Sequence, residues 1–159
     1  MLVKNIVYED VANYKETSMF IATPRCTLKC DKVNGCQVCQ NSELLKSRDI
    51  IIDTDKVIQK YLANKLTHAI VFGGLDPIDT FEDLILFIDR LRTRYKCNDT
   101  IVIYTGYDKE EIPKEIKYLS TYNNIIIKFG RFIMNRSPKY DELLGVTLAS
   151  DNQYAEQIS

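Results

Sequence analysis

The sequence predicts an α/β fold with a largely parallel sheet, and three observations carry that expectation. Short apolar runs alternate with longer amphipathic stretches along most of the chain. The apolar runs lack the in-and-out alternation of half-solvated strands, which suits strands covered on both faces. The order strand, helix, strand, helix, strand, helix, strand implies right-handed βαβ units.

Taken in order, Ser18 to Thr23 (SMFIAT), bounded by Pro24, is the first strand. A cysteine-rich loop follows it directly. Thr54 to Leu66 places Val57, Ile58, Tyr61, Leu62 and Leu66 at helical spacing, with Thr54 as its N-cap. Ala69 to Phe72 (AIVF) is the second strand, stopped by Gly73-Gly74. Thr80 to Tyr95 carries the strongest helical pattern: Thr80 caps it, Glu82 and Asp83 favour its first turn, and arginines fill its last. Thr100 to Tyr104 (TIVIY) is the third strand, ended by Thr105-Gly106-Tyr107. Glu110 to Leu119 is a weaker helix with Pro113 near its start, where proline is tolerated. Asn124 to Phe129 (NIIIKF) is the fourth strand, ended by Gly130-Arg131, and Gly145 to Ala149 is a further strand candidate. Parallel sheets bind ligands at the carboxyl ends of their strands. Every unusual motif of this chain lies at such an end.

Composition narrows the class. The chain has 159 residues, 45% hydrophobic and 27% charged, with a net charge of −1. That length suits one domain, residues 1–159. Near-zero net charge makes no electrostatic case for nucleic acid or an anionic membrane. No apolar run approaches the roughly 18 residues of a membrane span. The opening Met1-Leu-Val-Lys-Asn has no secretory pattern, so a cytoplasmic protein is expected.

Four of the five cysteines lie between Cys26 and Cys39, in Cys26-Thr-Leu-Lys-Cys30-Asp-Lys-Val-Asn-Gly-Cys36-Gln-Val-Cys39. Clustered thiols in a reducing compartment are metal ligands rather than disulfides. A four-cysteine zinc site and an iron–sulfur cluster both use thiolates. Only five residues separate the two cysteine pairs, fewer than is usual in zinc ribbons, which favours the cluster. His68, before the second strand, is read as structural, and Cys97 as a bystander.

Here the sequence resembles a family. Cys26-Thr-Leu-Lys-Cys30 is similar to the first half of the Cys-x3-Cys-x2-Cys signature of radical S-adenosylmethionine (radical SAM) enzymes. Cys39-Gln-Asn resembles the end of that signature in the activating proteins of anaerobic (class III) ribonucleotide reductase. The spacing departs from the family's: Val33 stands where the third cysteine belongs, and eight residues separate Cys30 from Cys39. Cys39 is favoured as third ligand on the Asn41 context. Cys36, or all four cysteines together, remain alternatives. Phe72-Gly73-Gly74-Leu75-Asp76-Pro77 is similar to the superfamily's Gly-Gly-Glu-Pro motif, with Leu75 in place of the usual acidic residue and Asp76 after it. Tyr104-Thr105-Gly106-Tyr107, Phe129-Gly130-Arg131-Phe132 and Ser150-Asp-Asn-Gln153 resemble further segments of the activating proteins.

The resemblance implies an open, partial radical-SAM-type βα barrel. It implies a [4Fe-4S] cluster on Cys26, Cys30 and Cys39, whose fourth iron chelates SAM. Gly73, Gly74, Asp76 and Thr105 would contact SAM, and Arg131 is a candidate partner for a carboxylate. Reductive cleavage of SAM would give a 5′-deoxyadenosyl radical that takes a hydrogen from a glycine of the reductase's catalytic subunit. An external donor such as a flavodoxin or ferredoxin would supply the electron. The scheme needs no side chain as general acid or base. Two other readings stay open. One is a small-molecule radical SAM enzyme of the deazapurine-biosynthesis type, and the other a non-enzymatic module with a closed four-cysteine iron–sulfur or zinc centre.

Overall fold

A computed structural model describes residues 1–159. The chain opens with β1 (Leu2–Val3) and β2 (Asn5–Asp10), then β3 (Ser18–Ala22). The cysteine segment holds two short helices, α1 (Lys29–Asn34) and α2 (Ser42–Lys46), and β4 (Ile50–Ile51) follows. The βαβ region comprises α3 (Thr54–Ala63), β5 (Ala69–Gly73), α4 (Phe81–Asp89), β6 (Thr100–Tyr104), α5 (Pro113–Leu119) and β7 (Ile125–Phe129). β8 (Lys139–Asp141), β9 (Val146–Leu148) and β10 (Tyr154–Gln157) complete the chain.

The central sheet has six strands in the order β10-β7-β6-β5-β3-β2. Its four inner strands are parallel, and both edge strands run antiparallel to their neighbours. Each inner strand pairs with the next inner strand in the chain, so the sheet grows in one direction. Right-handed crossovers then place α3, α4 and α5 on one face. The main core confirms this: Ile70, Phe72, Ile101, Ile103, Ile125 and Ile127 pack with Ile58, Phe87, Ile88 and Leu119. The alternate strand residues Ala69, Val71, Val102 and Ile126 face the other way, against Tyr14, Leu144 and Leu148. The strands end in register, Ala22 beside Gly73 and Tyr104 beside Lys128, so their loops share one edge.

Several elements differ from expectation. Asp53, not Thr54, caps α3: its carboxylate accepts the N–H groups of Asp55 and Lys56. Thr80 makes no cap bond to α4, because a 3₁₀ turn over Pro77–Thr80 leads into that helix and the Thr80 hydroxyl donates to Pro77 O. The end of the predicted 80–95 helix is a π-helical turn, Arg90–Arg94, closed by Tyr95 N–H on Arg90 O. The expected strand at 145–149 forms as β9, but it pairs with β8 outside the central sheet. No helix is long and apolar enough to cross a membrane.

Candidate metal centre

The carboxyl ends of the inner strands open onto a cavity of about 540 Å³. It lies on the side of the sheet opposite α3, α4 and α5, since Phe20, Ala22, Tyr104 and Lys128 line it while their alternate neighbours face those helices. Cys26, Cys30 and Cys39 all line it. Cys36 does not, and it is exposed.

Long-range hydrogen bonds shape the cysteine loop. Thr27 N–H donates to Asp79 Oδ2 at 2.7 Å, and Asp79 Oδ1 accepts the Tyr107 hydroxyl at 2.7 Å. Asn34, at the end of α1, donates to Cys30 O at 2.7 Å and Phe132 O at 3.0 Å, and its Oδ1 accepts Met134 N–H. Asp31 Oδ1 accepts the N–H groups of Val38 and Cys39, which turns the chain back toward the cavity. Two sulfurs already receive backbone donors, Leu28 N–H on Cys26 Sγ and Phe132 N–H on Cys30 Sγ, each at 3.3 Å. Burial pushes the Cys26 thiol up to about 11, and it also raises Cys39. Metal binding must therefore expel protons from them.

The other predicted site residues fall into two groups. Gly74, Asp76 and Thr105 line the cavity. Gly73 does not; a Cβ there would stand 3.2 Å from the Phe20 ring and 3.3 Å from Tyr104 Cβ, so its bareness serves strand packing. The Asp76 carboxylate is occupied internally, by Thr105 Oγ1 at 2.8 Å, Gly106 N–H at 2.9 Å and Ile78 N–H at 3.1 Å. Burial outweighs those donors and raises the Asp76 carboxyl to about 6. Asp76 and Thr105 thus lock two strand-end loops together. Arg131 is turned to Asp108 and Glu111, outside the cavity. Ser150 and Gln153 are buried, and Gln153 ties the tail to Gly130 O at 3.1 Å. His68 is exposed at the start of β5, the opposite end from the cysteines, and Cys97 packs against the main core.

Sequence reasoning passed over Asp31, Asn34 and Asp79, since single polar residues in loops have no signature. It also passed over Lys128, although a lysine inside Ile-Ile-Ile-Lys-Phe is an anomaly worth noticing. Lys128 is buried and donates to Gly130 O at 2.7 Å.

The donor set fits a cluster. Cys26, Cys30 and Cys39 line one cavity. A cubane gives each thiolate its own iron, so its ligands stand around one shared volume. Soft sulfur donors, partly buried, with N–H groups on two sulfurs, suit that use. Fold and site together thus describe an iron–sulfur protein of α/β architecture. Comparison with protein families agrees: the chain belongs to the 4Fe-4S single cluster domain family, which it matches over residues 17–153. Neither the curated proteins nor the solved structures give a match.

Proposed function

We propose that this chain is a radical SAM enzyme that activates an anaerobic ribonucleotide reductase by forming its glycyl radical. One observation carries the reading. The four clustered cysteines divide into three that line the cavity and one, Cys36, that stays outside it in solvent. Cys26, Cys30 and Cys39 would hold three irons of a [4Fe-4S] cluster and leave the fourth open to SAM. Reduced by an external flavodoxin or ferredoxin, a cluster held there would supply the electron for reductive cleavage of SAM to methionine and a 5′-deoxyadenosyl radical, the species that would remove a glycine hydrogen from the reductase subunit.

The chain's own residues would position and enclose. Gly74, with φ at +77°, turns the chain beyond β5 and brings bare backbone to the cavity. Asp76 and Thr105 would hold that edge against Gly106, so SAM meets backbone rather than the Asp76 carboxylate. One-directional winding, helices on one face and a cavity on the other support a partial barrel, because barrels keep their sites at the carboxyl ends of the strands. An open flank would admit a loop of the protein substrate.

Anaerobic reconstitution of Cys36→Ser and Cys39→Ser tests the proposal. The first should keep cluster and 5′-deoxyadenosine formation, and the second should lose both. A closed four-cysteine module predicts loss of the centre in either variant. Wild-type protein that binds a cluster yet forms no 5′-deoxyadenosine with SAM and dithionite would defeat the enzyme reading. Activity on a small molecule, with no radical on the reductase, would defeat the choice of substrate.

A further inference from the structure

Three cationic side chains are buried, and they differ in what answers their charge. Lys4 forms an ion pair with Asp49 at 2.8 Å. Arg92 donates through its two Nη atoms to three carbonyl oxygens, of Cys97, Asp99 and Asn123, away from the cavity, while its Nε has no partner. Lys128 has neither solution. It is 6% exposed, forms no ion pair, and its Nζ has one good acceptor, Gly130 O at 2.7 Å, and one distant one, Thr105 O at 3.4 Å. An ammonium carries three donors, and a buried cation without an anion is strongly unfavourable.

Its position says where an anion belongs. Lys128 lies on β7, on the face opposite α3, α4 and α5, and lines the cavity with Cys26, Cys30 and Cys39. The end of the same strand also serves Cys30 directly: Gly130 O holds the ammonium, and Phe132 N–H donates to Cys30 Sγ at 3.3 Å. Three thiolates give a cubane net negative charge, and one further electron deepens it. Net charge, hydrogen bonds to sulfur and solvent exposure set the potential of such a centre.

We propose that Lys128 is the counter-cation of the metal–sulfur centre, offsetting its charge from the Cys30 side and raising its reduction potential. A fixed positive charge favours the reduced form, which bears the extra electron. The proposal rests on the cluster assignment and is independent of SAM. An organic ligand's carboxylate is the competing anion for the same ammonium.

The full chain is reconstituted anaerobically as wild type, Lys128→Met and Lys128→Arg, and each is titrated redox-potentiometrically without SAM. With equal iron and sulfide content, Lys128→Met should have a more negative midpoint potential, and Lys128→Arg should stay near wild type. Thermal unfolding gives a second reading that survives poor loading. Without a cluster, Lys128→Met should melt above wild type because a buried unpaired charge is gone, and loading should shrink or reverse that gain. An unchanged potential in Lys128→Met overturns the proposal, as does a stability gain that loading leaves untouched. An unchanged potential with weakened binding of SAM or methionine assigns Lys128 to the organic carboxylate instead. Failure of 5′-deoxyadenosine formation in wild type would sink the enzyme reading and leave these potentials interpretable.

Discussion

Asp31 Oδ1 lies under two successive N–H groups, those of Val38 at 2.9 Å and Cys39 at 2.8 Å. This matters because eight residues separate Cys30 from Cys39. A longer loop closes at only modest extra entropy, since each doubling of length costs about 0.6 kcal/mol. Entropy is therefore not the obstacle; direction is. The Asp31 carboxylate sets that direction, and hydrogen bonds to a charged acceptor contribute roughly 1.5–3 kcal/mol each, less where water competes. Asp31→Ala should free Cys39 and lower the iron retained after reconstitution by half or more, with faster loss to a chelator. Asp31→Asn keeps an Oδ1 acceptor and should retain most of the iron. Equal iron retention in Asp31→Ala and wild type would show that Cys39 finds the cluster without the clamp.

The turn after β5 carries a constraint of its own. Gly74 has φ at +77°, and a Cβ there would stand 3.0 Å from Leu44 Cδ2 and 3.1 Å from Ala22 Cβ. Gly35, at the end of α1, has φ at +67° with nothing within 4 Å of a Cβ. The two glycines therefore separate backbone strain from crowding. Gly35→Ala should lose about 1–2 kcal/mol, the left-handed penalty alone. Gly74→Ala should lose more and displace α2, measured by urea unfolding and by amide shifts of residues 42–46. Equal losses would mean that Leu44 yields freely. The inner strands and their helices were legible because continuous apolar runs and helical spacing are local patterns. β2 (NIVYED) and β10 (YAEQ) were not, since short charged strands at sheet edges take their form from a neighbour. α1 and α2 bury no residue, and contacts such as Asn34 to Phe132 hold the segment, so no local period announces them. The site was legible to a similar degree. Thiol spacing marks soft-metal ligands wherever it occurs, whereas Asp79 acquires its role only through Thr27 and Tyr107, far along the chain, and Asp31 only through the loop fold that brings Val38 and Cys39 back to it.

The whole molecule divides into a packed side and a reactive edge. Helices α3, α4 and α5 and the core beneath them include none of the four clustered cysteines. The loops at the carboxyl ends bind one another: Thr27 and Tyr107 meet on Asp79, Thr105 and Gly106 on Asp76, and Phe132 and Met134 on Asn34. A cluster on Cys26, Cys30 and Cys39 would add covalent ties within the same set of loops. A ligand that binds only the folded state stabilises it in proportion to RT ln(1 + [L]/Kd), and opening of such a connected set is cooperative. Removal of the cluster by an anaerobic chelator should therefore lower the unfolding temperature. Amide hydrogen exchange should quicken together in residues 26–46, 74–79, 105–108 and 130–134. Amides of β5 and β6, beneath the helices, should keep near-wild-type protection, since their hydrogen bonds lie within the sheet. Faster exchange confined to 26–39 would show that the loops open independently, and the Asp79 and Asn34 bridges would then be passive contacts. Faster exchange throughout β5 and β6 would mean that the metal centre supports the core itself, contrary to a fold whose larger apolar core lies on the other face.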